Sequence, residues 1–229
     1  MKRTLPSIAS VLVVIPVALV LFAAKLTNGA ARPDSSAVLA PSAPELLATT
    51  AGEDTAVFAG GCFWGVEAVY DHVKGVKSAT SGYAGGTVSS PSYEQVSTGD
   101  TGHAESVQVI YDPSQVSYAK LLQIFFSVVH DPTQLNRQGP DRGTQYRSAI
   151  FYNNAQQQRA AEAYIKQLTA AKTFPRPIVT QVAKLGGFYR AEEYHQKYLE
   201  HHPNQLYIVI NDKPKVEALK KEFAADYRE

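Results

Sequence analysis

Cys62 is the only cysteine in a chain of 229 residues. It sits in Gly60-Gly61-Cys62-Phe63-Trp64-Gly65. That pattern predicts a strand ending in a glycine turn, with a helix beginning at or just after the cysteine. Backbone N–H groups at a helix N-terminus lack intrahelical partners and carry partial positive charge. A thiolate there is stabilised, so the thiol pKa is expected to fall and the reactive form to be available near neutral pH. The flanking glycines, Gly61 among them, let a substrate approach the backbone closely. Phe63 and Trp64, the only tryptophan, can wall in a methyl group. The plainer alternative is a buried free cysteine beside two core aromatics, but a core position rarely needs three glycines around it.

Glu105 follows Gly99-Asp100-Thr101-Gly102-His103-Ala104 and opens an alternating strand. Val107 and Val109 share its face, so the carboxyl begins a row that otherwise points at the core. A carboxyl in an apolar site has a raised pKa and can serve as a general acid near neutral pH; otherwise it is a solvated charge at a strand end. Tyr83 precedes one long polar stretch and Tyr93 lies in it. A second such stretch holds Asp131, Asp141, Arg142, Gln145, Tyr146 and Arg147. Tyrosine hydroxyls are neutral donors at pH 7 and suit a neutral, strongly accepting oxygen such as that of a sulfoxide. Any one of the 13 tyrosines can also be packing or surface. His195, His201 and His202 have poor spacing for a metal, and no metal is expected.

Around these residues the periodicity predicts strands at 55–59, 76–84, 104–111, 147–152 and 178–184. It predicts helices at 63–73, 117–129, 155–171, 191–200 and 215–227. Residues 87–100 and 130–145 read as long loops, which inside a compact domain are usually functional. The element order implies an α+β fold, a two-layer sandwich with a ferredoxin-like split βαβ core.

The N-terminus reads differently. Met1-Lys2-Arg3 is basic, an apolar run of roughly 17 residues follows, and small residues come next at 28–31. Residues 1–31 are therefore expected to be a secretory signal or an uncleaved anchor, and residues 32–52, rich in Ala, Ser, Pro and Thr, a flexible linker. Residues 53–229 form the catalytic domain, expected to act as a monomer. Either reading of the leader exports that domain, to the periplasm or the outside, with a membrane contact only if the leader stays. A lone cysteine in an exported chain cannot form an internal disulfide. Met1 is the only methionine and leaves with the leader, which suits a protein working among oxidants. The net charge of +1 gives no reason to expect a nucleic-acid partner.

Several motifs in one order make a specific match. They include Gly61-Cys62-Phe63-Trp64-Gly65-Val66-Glu67, Gly82-Tyr83-Ala84-Gly85-Gly86, Ser92-Tyr93-Glu94-Gln95-Val96 and Gly99–Glu105. Further along come His130-Asp131-Pro132-Thr133-Gln134, Gly143-Thr144-Gln145-Tyr146-Arg147 and Glu193-Tyr194-His195-Gln196. From about Thr55 to Asn211 the chain resembles the A-type peptide methionine sulfoxide reductases. The resemblance implies an α+β plait in which Cys62 attacks the sulfoxide sulfur and Glu105 protonates its oxygen. Tyr93 and Tyr146 would hydrogen-bond that oxygen, Asp141 would order the site, and Phe63 and Trp64 would hold the ε-methyl group. It implies the S epimer as substrate, free or in oxidised proteins, and a sulfenic acid on Cys62.

The departure from the family lies in the C-terminal segment, where many members carry resolving cysteines and this chain has none. Regeneration is expected to fall to an external thiol donor of thioredoxin or glutathione type, through a mixed disulfide. The competing readings are another cysteine enzyme, such as a thiol peroxidase or a hydrolase with His103 or His195 as base, and a module that binds oxidised methionine without turnover.

Overall fold

Alternation along the first strand sorts the two faces of the sheet. In β1 (Asp54–Gly60) Ala56 and Phe58 join the large core, while Val57 and Ala59 join a small second cluster. The same sorting follows in β2 (Val76–Ala84), β3 (Ala104–Tyr111) and a later strand, β6 (Ser148–Tyr152), because side chains in a strand alternate with period two. The computed structural model describes residues 38–42 and 52–229. The leader expected at 1–31 lies outside them.

Six strands form one sheet in the order β7-β6-β1-β3-β2-β8, with β7 at Gln181–Lys184 and β8 at Phe188–Arg190. β1 is antiparallel to both β3 and β6, and only the β6–β7 pair is parallel. The first helix, α1 (Phe63–Asp71), connects β1 to β2 across β3. The segment from β3 to β6 crosses β1 in the same way, so the inner strands β6-β1-β3-β2 form the expected split βαβ plait. On the helix-facing side Phe58 stacks on Tyr70 at 5.2 Å and on Phe125 at 5.1 Å. Small residues (Ala59, Ala84, Ala104, Ala149) dominate the opposite face, covered by Leu185 and Phe188.

Several boundaries differ from the periodicity, each for a local reason. The first long loop contains α2 (Tyr93–Ser97), started by a capping box between Ser92 and Gln95. The helix expected at 117–129 starts at its Ser117 cap as α3 (Tyr118–Ile124) and widens into a π-turn at Phe125–Val129. The second long loop folds into a small hairpin, β4 (Arg137–Gln138) with β5 (Asp141–Arg142), and a 3₁₀ turn at Thr144–Tyr146. α4 (Ala155–Ala170) runs as expected from its Asn154 cap.

The helix expected at 191–200 is broken into a 3₁₀ turn at Glu193–His195 and the short α5 (Tyr198–His201). The cause is Gln196. Its side-chain amide bonds both backbone groups of Ser81 at 3.1 Å, acting as an extra strand residue, and Lys197 then takes a left-handed φ of 50°. The last helix, α6 (Lys213–Glu222), begins at a π-turn, Ile208–Asp212, and ends earlier than expected.

Part of the expected linker is held on the domain. Tyr164 donates to the Leu39 carbonyl at 2.6 Å, Gln167 donates to the Ala40 carbonyl at 2.7 Å, and Val38 enters the core. Residues 38–42 therefore lie along α4 and do not form free chain. Their carbonyls supply acceptors to side chains that α4 presents.

Candidate active site

The turn between β1 and α1 presents Cys62 as the residue preceding the first turn of α1. Gly61 makes the turn possible. Its φ of +94° favours glycine, and a Cβ there would lie 2.6 Å from Gln138 of the β4 hairpin. Gly61→Ala is expected to cost about 2 kcal/mol in backbone strain alone. For a domain of this size that lowers Tm by roughly 4–8 °C, and a fall in kcat/KM should accompany it as the Cys62 turn shifts.

β3 brings Glu105 beneath this turn, on the helix-facing side with Val107 and Val109, as the alternation predicted. Glu105 Oε2 accepts the Phe63 N–H at 3.0 Å. Burial pushes the Glu105 carboxyl up to about 8, and the Asp141 and Asp212 carboxyls push the same way. The first free N–H of α1 opposes the shift. At neutral pH Glu105 holds its proton while one oxygen is anchored to the backbone.

Cys62 keeps 8% of its surface exposed and touches the core. Burial pushes its thiol well above the ordinary value, and the Glu105 and Asp212 carboxyls add to that. The Trp64 N–H and the Lys215 ammonium pull the other way, with smaller effect. The expected fall in thiol pKa is thus reversed in the resting protein. The helix N-terminus does face the sulfur, but Phe63 N–H is spent on Glu105 and desolvation outweighs the one remaining donor. A protonated Glu105 removes the nearest like charge, so the state that readies the acid also eases the thiolate.

Around the sulfur stand Tyr93 of α2, Tyr146 of the 3₁₀ turn and Tyr207 before the π-turn. All three phenols are raised above their usual value, first by burial and then by charges that include Cys62 or Glu105. They are held as neutral donors. Asp141, half-buried on β5, accepts from the Tyr207 hydroxyl and is itself raised by burial.

The apolar wall is also present. Trp64 stacks on Tyr198 at 3.7 Å and meets the edge of Tyr207 at 5.9 Å. Phe63, which is buried, packs on Tyr83 at 5.9 Å and His195 at 5.0 Å. Glu192 fastens the rim, accepting the Tyr93 N–H and the Tyr83 hydroxyl, each at 2.8 Å. A cavity of about 510 Å³ lined by Trp64, Glu67, Asp71 and Lys197 adjoins this wall without including Cys62.

Neither histidine is placed as a base for Cys62. His103 Nδ1 accepts the Gly86 N–H at 3.1 Å and its Nε2 faces the Val88 carbonyl at 2.7 Å, so both nitrogens serve the β2–β3 loop. His195 Nδ1 accepts from Trp64 Nε1 at 3.1 Å, which leaves its proton on Nε2. No group of three or more His, Cys, Asp or Glu residues able to hold a metal occurs among the described residues.

Tyr93, Glu105, Asp141, Tyr146, Phe63 and Trp64 meet around Cys62, whereas Asp131 pairs with Thr133 and Arg176, Arg147 donates to the Thr144 and Gly102 carbonyls, and His103 holds its own loop. Three further residues that periodicity did not reveal join the site. Tyr207, Asp212 and Lys215 come from the C-terminal segment. In the apolar run Leu206-Tyr207-Ile208-Val209-Ile210 only Ile208 is buried and Tyr207 partly so, while Leu206, Val209 and Ile210 stay exposed, so the run alone gave little sign of the site.

Comparison with known proteins places the chain in a family. The family model described as peptide methionine sulfoxide reductase matches residues 54–227. The peptide methionine sulfoxide reductase MsrA 2 of Mesorhizobium japonicum is 58% identical over 178 residues, 78% of this chain and 91% of that protein. The MsrA 2 of Synechocystis is 50% identical over 179 residues, 78% of this chain and 84% of that protein. Among solved structures, reduced Mxr1 from Saccharomyces cerevisiae matches with a TM-score of 0.61 and 34% identity, covering 70% of this chain and 94% of that one. Methionine sulfoxide reductase A of Corynebacterium diphtheriae matches with a TM-score of 0.60 and 38% identity, covering 68% and 77%. Since the family match runs from the first strand of the sheet to the last helical segment, this chain belongs to the A-type peptide methionine sulfoxide reductases.

Proposed function

We propose that Cys62 is the nucleophile and Glu105 the general acid of the methionine sulfoxide reduction that this family performs with thiol reductants. The observation that carries the reading is the anchored, proton-holding Glu105 beside the single cysteine, 3.0 Å from the N–H of the next residue. Cys62 Sγ bonds to the sulfoxide sulfur as Glu105 delivers its proton to the sulfoxide oxygen, and the thiol proton returns Glu105 to its acid form. The protonated oxygen then passes from the substrate sulfur to Sγ, breaking the S–O bond and the transient S–S bond. The sulfoxide gains two electrons and leaves as methionine. The cysteine sulfur loses two electrons and carries the oxygen as a sulfenic acid. Tyr93 and Tyr146, held neutral, donate to the oxygen while charge builds on it. Asp141 and Tyr207 hold each other in place at the mouth. Phe63 and Trp64 receive the ε-methyl group, Gly61 leaves room for the substrate chain, and the S epimer is the one accepted.

With no second cysteine, regeneration falls to an external thiol of thioredoxin or glutathione type. One thiol displaces water from the sulfenic acid and forms a mixed disulfide. A second thiol breaks that disulfide and restores Cys62. Oxidised proteins and free methionine sulfoxide are the substrates. The basic start and apolar run of residues 1–31 support export of the domain to the periplasm or the outside.

The test uses the purified protein with each sulfoxide epimer. Without thiol, one methionine per chain and a sulfenic acid trapped by dimedone are expected; with dithiol, continuous turnover of the S epimer. Continuous turnover without thiol, or turnover of the R epimer alone, would refute the scheme.

A further inference from the structure

One charged pair that the scheme above leaves unused lies against the catalytic turn. Lys215 Nζ stands 3.0 Å from Asp212 Oδ1, with side chains 8% and 0% exposed. Among the described ion pairs, the others keep at least one partner well exposed or both in part. Burying two charges is costly, so a helix merely docking its last turns has no need of such a pair. The pair rests on Gly65, in the first turn of α1. A Cβ at Gly65 would collide with both Asp212 Oδ1 and Lys215 Nζ. Asp212 Oδ2 is buried with no hydrogen-bond partner, which leaves half of that carboxylate uncompensated beside the site.

We propose that Asp212 and Lys215 are positioning residues of the catalytic centre, pinning the C-terminal segment onto Gly65 and setting two opposed charges beside Cys62. The inference rests on the reading of Cys62 given above. Pinning matters because the same segment carries Tyr207, whose hydroxyl reaches Asp141 and whose ring meets the edge of Trp64.

The titratable groups facing the sulfur come from every side: Glu105 from β3, Tyr93 from α2, Tyr146 from the 3₁₀ turn, Tyr207, and the pair itself. Asp141 acts on Glu105 and on two of the phenols. In this set the Asp212 carboxylate disfavours the thiolate and also favours the protonated form of Glu105. Lys215 favours the thiolate, and its effect at the sulfur is the smaller of the two. Asp212 therefore adds to the burial that holds the resting thiol and the acid protonated, while Lys215 limits how far the thiol is suppressed.

The pH dependence of Cys62 alkylation by iodoacetamide tests this in the full-length protein. Asp212→Asn should lower the midpoint by about one pH unit, roughly tenfold in rate at a fixed pH below it. Adding Lys215→Met to that variant should raise the midpoint again, to a value still below that of the wild type. Steps of opposite sign are not what a purely structural pair produces. Such a pair would lower Tm in both variants and leave the midpoints unmoved, and that result would overturn the proposal. Should Asp212→Asn not fold, the charge-free double variant decides alone, because a midpoint equal to that of the wild type would also overturn it. The catalytic reading is separable: wild-type protein that alkylates as described but reduces no sulfoxide would refute the reductase scheme and leave the pair's effect standing.

Discussion

Replacing Cys62 by serine is expected to remove methionine sulfoxide reduction while leaving substrate binding in place. The exchange of sulfur for oxygen changes little in shape, so a position with 8% exposure should tolerate it. The chemistry does not tolerate it. A serine hydroxyl is not ionised near neutral pH, and it cannot accept oxygen from a sulfoxide as sulfur does when it passes to the sulfenic acid. Loss of the covalent route should lower kcat by a factor on the order of 10⁴ or more. Affinity for a methionine sulfoxide peptide, measured by calorimetry, should stay within roughly threefold, because the wall of Phe63 and Trp64 and the phenol donors are intact. Measurable turnover by the serine variant would remove Cys62 from the role of nucleophile.

Glu105→Gln should be the next most damaging change, with kcat lowered by about 10²–10⁴. Glutamine keeps the size of the side chain and can still accept the Phe63 N–H, so the turn should hold. What it lacks is a transferable proton. The pH dependence carries the sharper signature. Burial raises the Glu105 carboxyl from 4.5 to about 8, so the acid is present below that value and is lost as pH rises through it. Wild-type kcat/KM should therefore fall on the alkaline side of about pH 8, and the glutamine variant should lack that limb. The same shift acts on stability: the folded state keeps a proton that the unfolded chain gives up, so stability declines as pH rises from 4.5 to about 8. In the glutamine variant this part of the decline should vanish. An alkaline limb of unchanged position in Glu105→Gln would assign it to another group, Cys62 first among them.

Local chemistry explains why so much was legible beforehand. A glycine turn entering a helix places Cys62 at the helix start wherever the domain packs, because the turn and the helix are local structures. Alternation in β3 placed Glu105 on the face of Val107 and Val109 for the same kind of reason, since pleating fixes a side chain's face from its neighbours alone. The order of elements carried the plait. The role of the long loops was also legible, although α2 and the β4–β5 hairpin inside them depend on the Ser92 cap and on the anchoring of Gln138, whose side-chain amide bonds the Asp131 backbone.

What only the tertiary structure decided is how those residues act on one another. The helix N-terminus argued for a lowered thiol pKa, yet the thiol is raised, because burial and two carboxyls arriving from β3 and the C-terminal segment outweigh one N–H. The break at Gln196 followed from backbone groups of Ser81 more than 100 residues earlier in the chain. Tyr207, Asp212 and Lys215 entered the site for the same reason. Periodicity reports which face of an element is buried, whereas charge and desolvation depend on what other elements bring to that face. From sequence alone, then, came the fold, the place of Cys62 at the helix start and the face on which Glu105 lies; the electrostatics of those two groups, and the C-terminal segment beside them, were settled by long-range packing.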